Sequence, residues 1–135
     1  MNLKIYTDGG ARGNPGPAAI GVVLKNESGE TIKELGRYIG EGTNNDAEYQ
    51  ALIAGIKAAA EKNATEIDCF VDSELIARQL NGEYKVKNER LRNYWYQVKK
   101  LSEKFEKVQY IHVKRDKNFE ADALVNQVLD SLNNG

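Results

Sequence analysis

The chain is 135 residues long, with a single cysteine, a single histidine, a single tryptophan and two prolines. Cys69 cannot close a disulfide within the chain, and no cysteine and histidine spacing makes a zinc site. No apolar run reaches membrane-spanning length, so no membrane partner is expected. Met1 leads straight into a strand pattern without the stretch a signal peptide needs, which predicts a cytoplasmic protein. Net charge is scarce too, at −1, so bulk charge does not by itself suggest a nucleic-acid binder. Hydrophobic residues at 41% are enough for one core, and the length predicts one domain over 1–135.

What charge there is has a pattern. Between Lys85 and Lys107 stand eight basic residues (Lys85, Lys87, Arg90, Arg92, Lys99, Lys100, Lys104 and Lys107) against Glu89, Glu103 and Glu106. A stripe of this kind can track a phosphate backbone, although a charge run is more often a solvated helix face.

Residues 3–7 alternate around Leu3, Ile5 and Thr7 and predict a strand. A glycine- and proline-rich loop follows, then a buried strand over 18–24, a turn at Glu27-Ser28-Gly29-Glu30 and a returning strand over 31–40. Thr43 and Asp46 fit a capping box at the start of a helix rich in small residues, in which Glu48, Leu52, Gly55 and Ala59 share the face turned to the sheet. A fourth strand over 66–72 precedes a short helix over 73–80. Leu91, Trp95, Val98, Leu101 and Phe105 predict an amphipathic helix, residues 108–113 a fifth strand, and Leu124 to Leu132 a last helix that Asn133-Asn134-Gly135 ends. His112 and Cys69 are read as strand residues and Trp95 as a packing residue. The order βββαβααβα predicts an α/β fold: a mixed five-stranded sheet with three antiparallel strands, then parallel crossovers, with helices on both faces.

Four acidic residues then stand out. Asp8 and Asp72 close strand patterns, Glu48 lies in a first helical turn, and Asp122 opens the last helix. Right-handed crossover makes the first and fourth strands neighbours, which sets Asp8 beside Asp72. Each residue has an ordinary reading alone: a turn aspartate, a first-turn glutamate, an N-cap and a solvated helix position. Together at one sheet end they would repel each other unless protons or cations lay between them. Oxygen-only ligands suit Mg²⁺ or Mn²⁺, and two such ions close together make a phosphodiester-cleaving centre.

The segments TDGGARGNPGPAAIGVVL, TNNDAEYQALIAGI, FVDSELIARQLNG and VKRDKNFEADALVN, in that order, resemble type 1 ribonuclease H along essentially the whole chain. The resemblance implies a ribonuclease H-like fold. It also implies an endonuclease that hydrolyses the RNA strand of an RNA–DNA hybrid, leaving 5′-phosphate and 3′-hydroxyl ends. It makes Asp8, Glu48, Asp72 and Asp122 the catalytic metal ligands for two Mg²⁺ ions, with Mn²⁺ as a substitute. Asn14, Asn44 and Asn45 match minor-groove contacts, Thr43 a phosphate contact, and Asn118 a polar residue of the active-site loop.

The chain also departs from the family pattern. The loop histidine of many members is absent from Val113 to Asn118, and Asp116 is expected there as a modulator of metal preference or product release. The basic protrusion of longer members is reduced to Gly82–Asn88, with the Lys85–Lys107 stripe expected as its substitute. Glu74 replaces a frequent glutamine and is a second candidate modulator. Alternative readings are a related nuclease that also cuts double-stranded RNA, and a non-catalytic hybrid-binding module. No obligate protein partner is implied, and a monomer is expected.

Overall fold

A computed structural model describes residues 1–133; Asn134 and Gly135, expected to end the last helix, lie outside the described residues. Five strands are present: β1 (Asn2–Ala11), β2 (Gly16–Lys25), β3 (Thr31–Gly42), β4 (Glu66–Val71) and β5 (Lys107–His112). The helices are α1 (Asn44–Glu61), α2 (Glu74–Leu80), α3 (Glu89–Ser102) and α4 (Phe119–Asn133), with a 3-10 turn at Arg115–Asn118 before α4. The sheet order is β3-β2-β1-β4-β5. The pairs β1–β2 and β2–β3 are antiparallel, while β1–β4 and β4–β5 are parallel. The predicted meander and crossovers are therefore observed, with His112 closing β5.

Alternation along the strands assigns the two faces. Leu3, Ile5, Val22, Leu24, Ile67 and Cys69 pack with Leu52, Ile56 and Ala59 of α1 in the main core, all of them fully buried. α4 covers the opposite face of β1–β3, where Ala19 meets Val125 and Leu129. Removing a side chain such as Leu52 from the main core would cost about 2–5 kcal/mol.

Two departures from the sequence reading have physical causes. Strand β1 runs four residues past Thr7, because Gly9, Gly10 and Ala11 pair with Ile20, Ala19 and Ala18 in the β2 ladder. Helix α3 stops at Ser102, so Phe105 enters the core from a turn rather than from the helical face predicted for it. Trp95 packs against the core and donates its indole N–H to the Gln79 carbonyl at 3.1 Å. Among the described residues, no helix is long and apolar enough to cross a membrane.

Candidate active site

The last β1–β4 register pair is Thr7 with Val71, so Asp8 and Asp72 follow directly after the parallel pairing ends. Glu48 arrives from the other side of the sheet through a close contact. A Cβ on Gly9 would fall 2.2 Å from the Ala47 carbonyl carbon, so only glycine lets the first turn of α1 lie on β1. The Gly9 N–H then donates to Glu48 Oε1 at 2.8 Å and fixes the carboxylate. Gly21 does the same for α4: a Cβ there would fall 2.2 Å from the Ala121 carbonyl oxygen, next to Asp122.

Asp8, Glu48 and Asp72 each offer an oxygen, all within 4.8 Å of one another. Asp122 lines the same cleft without joining this group of three, and its Oδ2 accepts from Asn126 Nδ2 at 3.3 Å. Burial, then the charges of Asp72 and Asp122, push the Asp8 carboxyl up to about 7, against a hydrogen bond to Glu48 that lowers it. Burial first, then the bond to Asp8 and the charges of Asp8 and Asp72, hold Glu48 well above the usual carboxylate range. Without a cation the pair thus retains a proton near neutrality. Asp72 Oδ2 is buried with no hydrogen-bond partner, and the nearest cation is Arg115 Nε at 3.8 Å. Crowded hard oxygens, raised carboxyls and an orphaned carboxylate oxygen fit a divalent cation.

The cleft is about 470 Å³ and is also lined by Asn44, Asn45, Arg12 and Ser73. Asn44 Oδ1 accepts from the Ala11 N–H at 2.9 Å, and the Asn44 N–H donates to Asn14 Oδ1 at 3.0 Å. These bonds tie the β1–β2 loop to the start of α1 and leave the side-chain NH₂ groups of both asparagines without a partner among the described residues. Thr43 is the N-cap of α1, with the full capping box: Asp46 N–H to Thr43 Oγ1 at 3.1 Å and Thr43 N–H to Asp46 Oδ2 at 3.0 Å.

The fold places the remaining expected residues and the basic stripe as follows. Asn118 is only 1% exposed and donates to the Thr7 carbonyl at 2.8 Å, so it braces the strand that carries Asp8 instead of facing the cleft. Asp116 is exposed on the 3-10 turn and lies off the cleft; the neighbour that enters it is Arg115. Glu74 is occupied by Arg78 Nε at 2.9 Å. The basic stripe is broken up by folding: Arg90 pairs with Asp46, Arg92 bonds the Val86 and Lys87 carbonyls, Lys99 caps the Leu80 carbonyl and Lys100 lies by Glu103.

Sequence reasoning missed Arg115, Asn126 and the clamping roles of Gly9 and Gly21. Only Asn126 left a signal, four residues after Asp122 on one helix face.

A family profile described as "Reverse transcriptase-like" matches residues 6–128. Ribonuclease HI of Halobacterium salinarum is 43% identical over 95% of this chain and 64% of that protein. The bifunctional protein Rv2228c of Mycobacterium tuberculosis is 40% identical over 97% of this chain, which spans 36% of that protein's length. Among solved structures, RNase H1 from Halobacterium salinarum superposes with a TM-score of 0.95 at 41% identity, covering 97% of this chain and 99% of that one. LC11-RNase H1, solved in complex with an RNA/DNA hybrid, gives a TM-score of 0.92 at 43% identity over 96% and 98% of the two chains. With matching strands, matching helices and a carboxylate cluster where the parallel pairing ends, this chain belongs to the type 1 ribonuclease H family.

Proposed function

We propose that this chain hydrolyses the RNA strand of RNA–DNA hybrids, using divalent cations held by Asp8, Glu48 and Asp72 with Asp122 at the margin. The observation that carries this reading is the three-carboxylate cluster, packed within 4.8 Å at the floor of an open, polar cleft. The similar LC11-RNase H1 was solved with such a hybrid, which supports the substrate class. Mg²⁺ is the expected ion, in two positions, with Mn²⁺ able to replace it. Bound there, the ions supply Lewis-acid stabilisation of the phosphate and a hydroxide nucleophile near neutral pH.

The chain's own residues supply the frame. Glu48, clamped by the Gly9 N–H, and Asp72, bare at Oδ2, present lone pairs that would hold the ions, and the proton retained by the Asp8–Glu48 pair would leave as they bind. The Asn14 and Asn44 amides, held by their carbonyl oxygens, keep N–H donors free for the minor groove, where a 2′-hydroxyl marks the RNA strand. Thr43 and the amino end of α1 suit a backbone phosphate. The departing 3′-oxygen takes a proton and the 5′-phosphate stays with the downstream fragment.

The test is cleavage of one labelled RNA in three forms, paired with DNA, paired with RNA, and single-stranded. Each is run with Mg²⁺, with Mn²⁺ and with chelator. Cutting of the hybrid alone, abolished by chelator, is the expected result. Equal cutting of the RNA duplex would make it a broader double-strand nuclease. Hybrid binding without any cutting would make it a binding module.

A further inference from the structure

A second groove lies between α1, α3 and the edge strand β3. It has a volume of about 310 Å³ and shares no lining residue with the cleft. Ile20, Ile39, Ile53 and Ala54 supply apolar walls, and Arg37 and Lys57 stand over them. A shallower trough of about 140 Å³ continues between α1 and β3, past Leu35 to Lys33 and Glu61. The one carboxylate along this path, Glu61, lies 3.9 Å from Lys33. Arg37 and Lys57 are exposed and have no carboxylate within 4.0 Å among the described residues. Two free cations over an aliphatic floor are a charge pattern without its complement.

We propose that this groove docks an extended, acidic segment of a partner protein, with aliphatic side chains on the floor and carboxylates on Arg37 and Lys57. Gln50 to Glu61 of α1 spans about 17 Å at 1.5 Å per residue, the length of about five extended residues. Nucleic acid is the poorer fit. Binding a single strand needs stacking platforms, and the only aromatic ring here, Tyr94, lies near-parallel to Tyr49 at 6.2 Å, with its hydroxyl accepting from Gln50.

The probe is a fluorescent peptide of about eight residues alternating glutamate with leucine, titrated into the full chain and followed by anisotropy and by amide shifts. Controls alternate glutamate with serine and lysine with leucine, and a short oligothymidylate serves as competitor. Saturable binding of the glutamate–leucine peptide alone is expected, with shifts centred on Arg37, Ile39, Ile53 and Ala54. Arg37→Glu with Lys57→Glu should weaken it about tenfold or more, since like charges then face each other. Lys57→Glu alone should give part of that loss, and both variants should keep the parent melting temperature because both positions are exposed. The proposal is overturned if the glutamate–serine peptide binds as well, if charge reversal changes nothing, or if the shifts fall elsewhere. It is equally overturned if oligothymidylate displaces the peptide from the groove, which would make it a nucleic-acid track.

Discussion

Asp8, Glu48 and Asp72 crowd three carboxylates together at a cost to the metal-free fold that a bound cation would offset. Three carboxylates within 4.8 Å are tolerable only with a proton or a cation among them. Asp8→Asn, Glu48→Gln or Asp72→Asn should each lower hybrid cleavage by roughly 10³-fold or more, on the scale of losing a preorganised charge-stabilising group, while hybrid binding survives. Single-turnover cleavage beside filter binding separates the two. Asp122→Asn should be milder, on the order of 10–100-fold, because Asp122 stands outside the tight group and is partnered by Asn126.

The raised carboxyls also give a pH signature. Asp8 moves from its ordinary value of 3.8 to about 7, so between those pH values the folded chain binds protons that the unfolded chain has released. The contribution of this pair to stability therefore falls as pH rises from about 4 to about 7. In chelator, Asp8→Asn should melt a few degrees above the parent at pH 7, with the gap closing below about pH 4. A parent melting curve whose pH slope the substitution leaves unchanged would contradict this.

At the scale of elements, the site depends on two close approaches and one cap. Gly9→Ala would drive a methyl group into the backbone of α1, which must then move away with Glu48. A loss of about 3 kcal/mol or more is expected, measurable by denaturant unfolding, and cleavage should fall further than stability explains. Asp46→Ala removes half of the capping box and the 2.7 Å contact from Arg90 on α3. The cap alone predicts about 1–2 kcal/mol of destabilisation, read by the same unfolding experiment. The capping box was legible in the sequence, as was the face of α1 that carries Glu48. The clamps were not, because a glycine in a strand pattern does not reveal which distant backbone will lie against it.

For the whole molecule, cation binding at the carboxylate cluster would be linked to folding. A divalent ion that binds only the folded chain stabilises it by mass action, about 2.7 kcal/mol at one hundred times its dissociation constant. Mg²⁺ or Mn²⁺ should therefore raise the melting temperature at pH 7, and Asp8→Asn should abolish the rise. Calorimetry of both proteins with and without chelator checks this.

The sequence by itself determined the element order, the crossovers and hence the meeting of Asp8 with Asp72. Strand periodicity, turn residues and helix caps are local, and crossover handedness is nearly invariant. Only the tertiary structure decided which neighbours serve those carboxylates. It turned Asn118 inward beneath Thr7, kept Asp116 off the cleft and brought Arg115 into it. It also spent half of the basic stripe on Asp46, Glu103 and carbonyl oxygens, while leaving Arg37 and Lys57 free over a groove. Those outcomes depend on distances between residues far apart in the chain, which packing sets and local pattern does not encode.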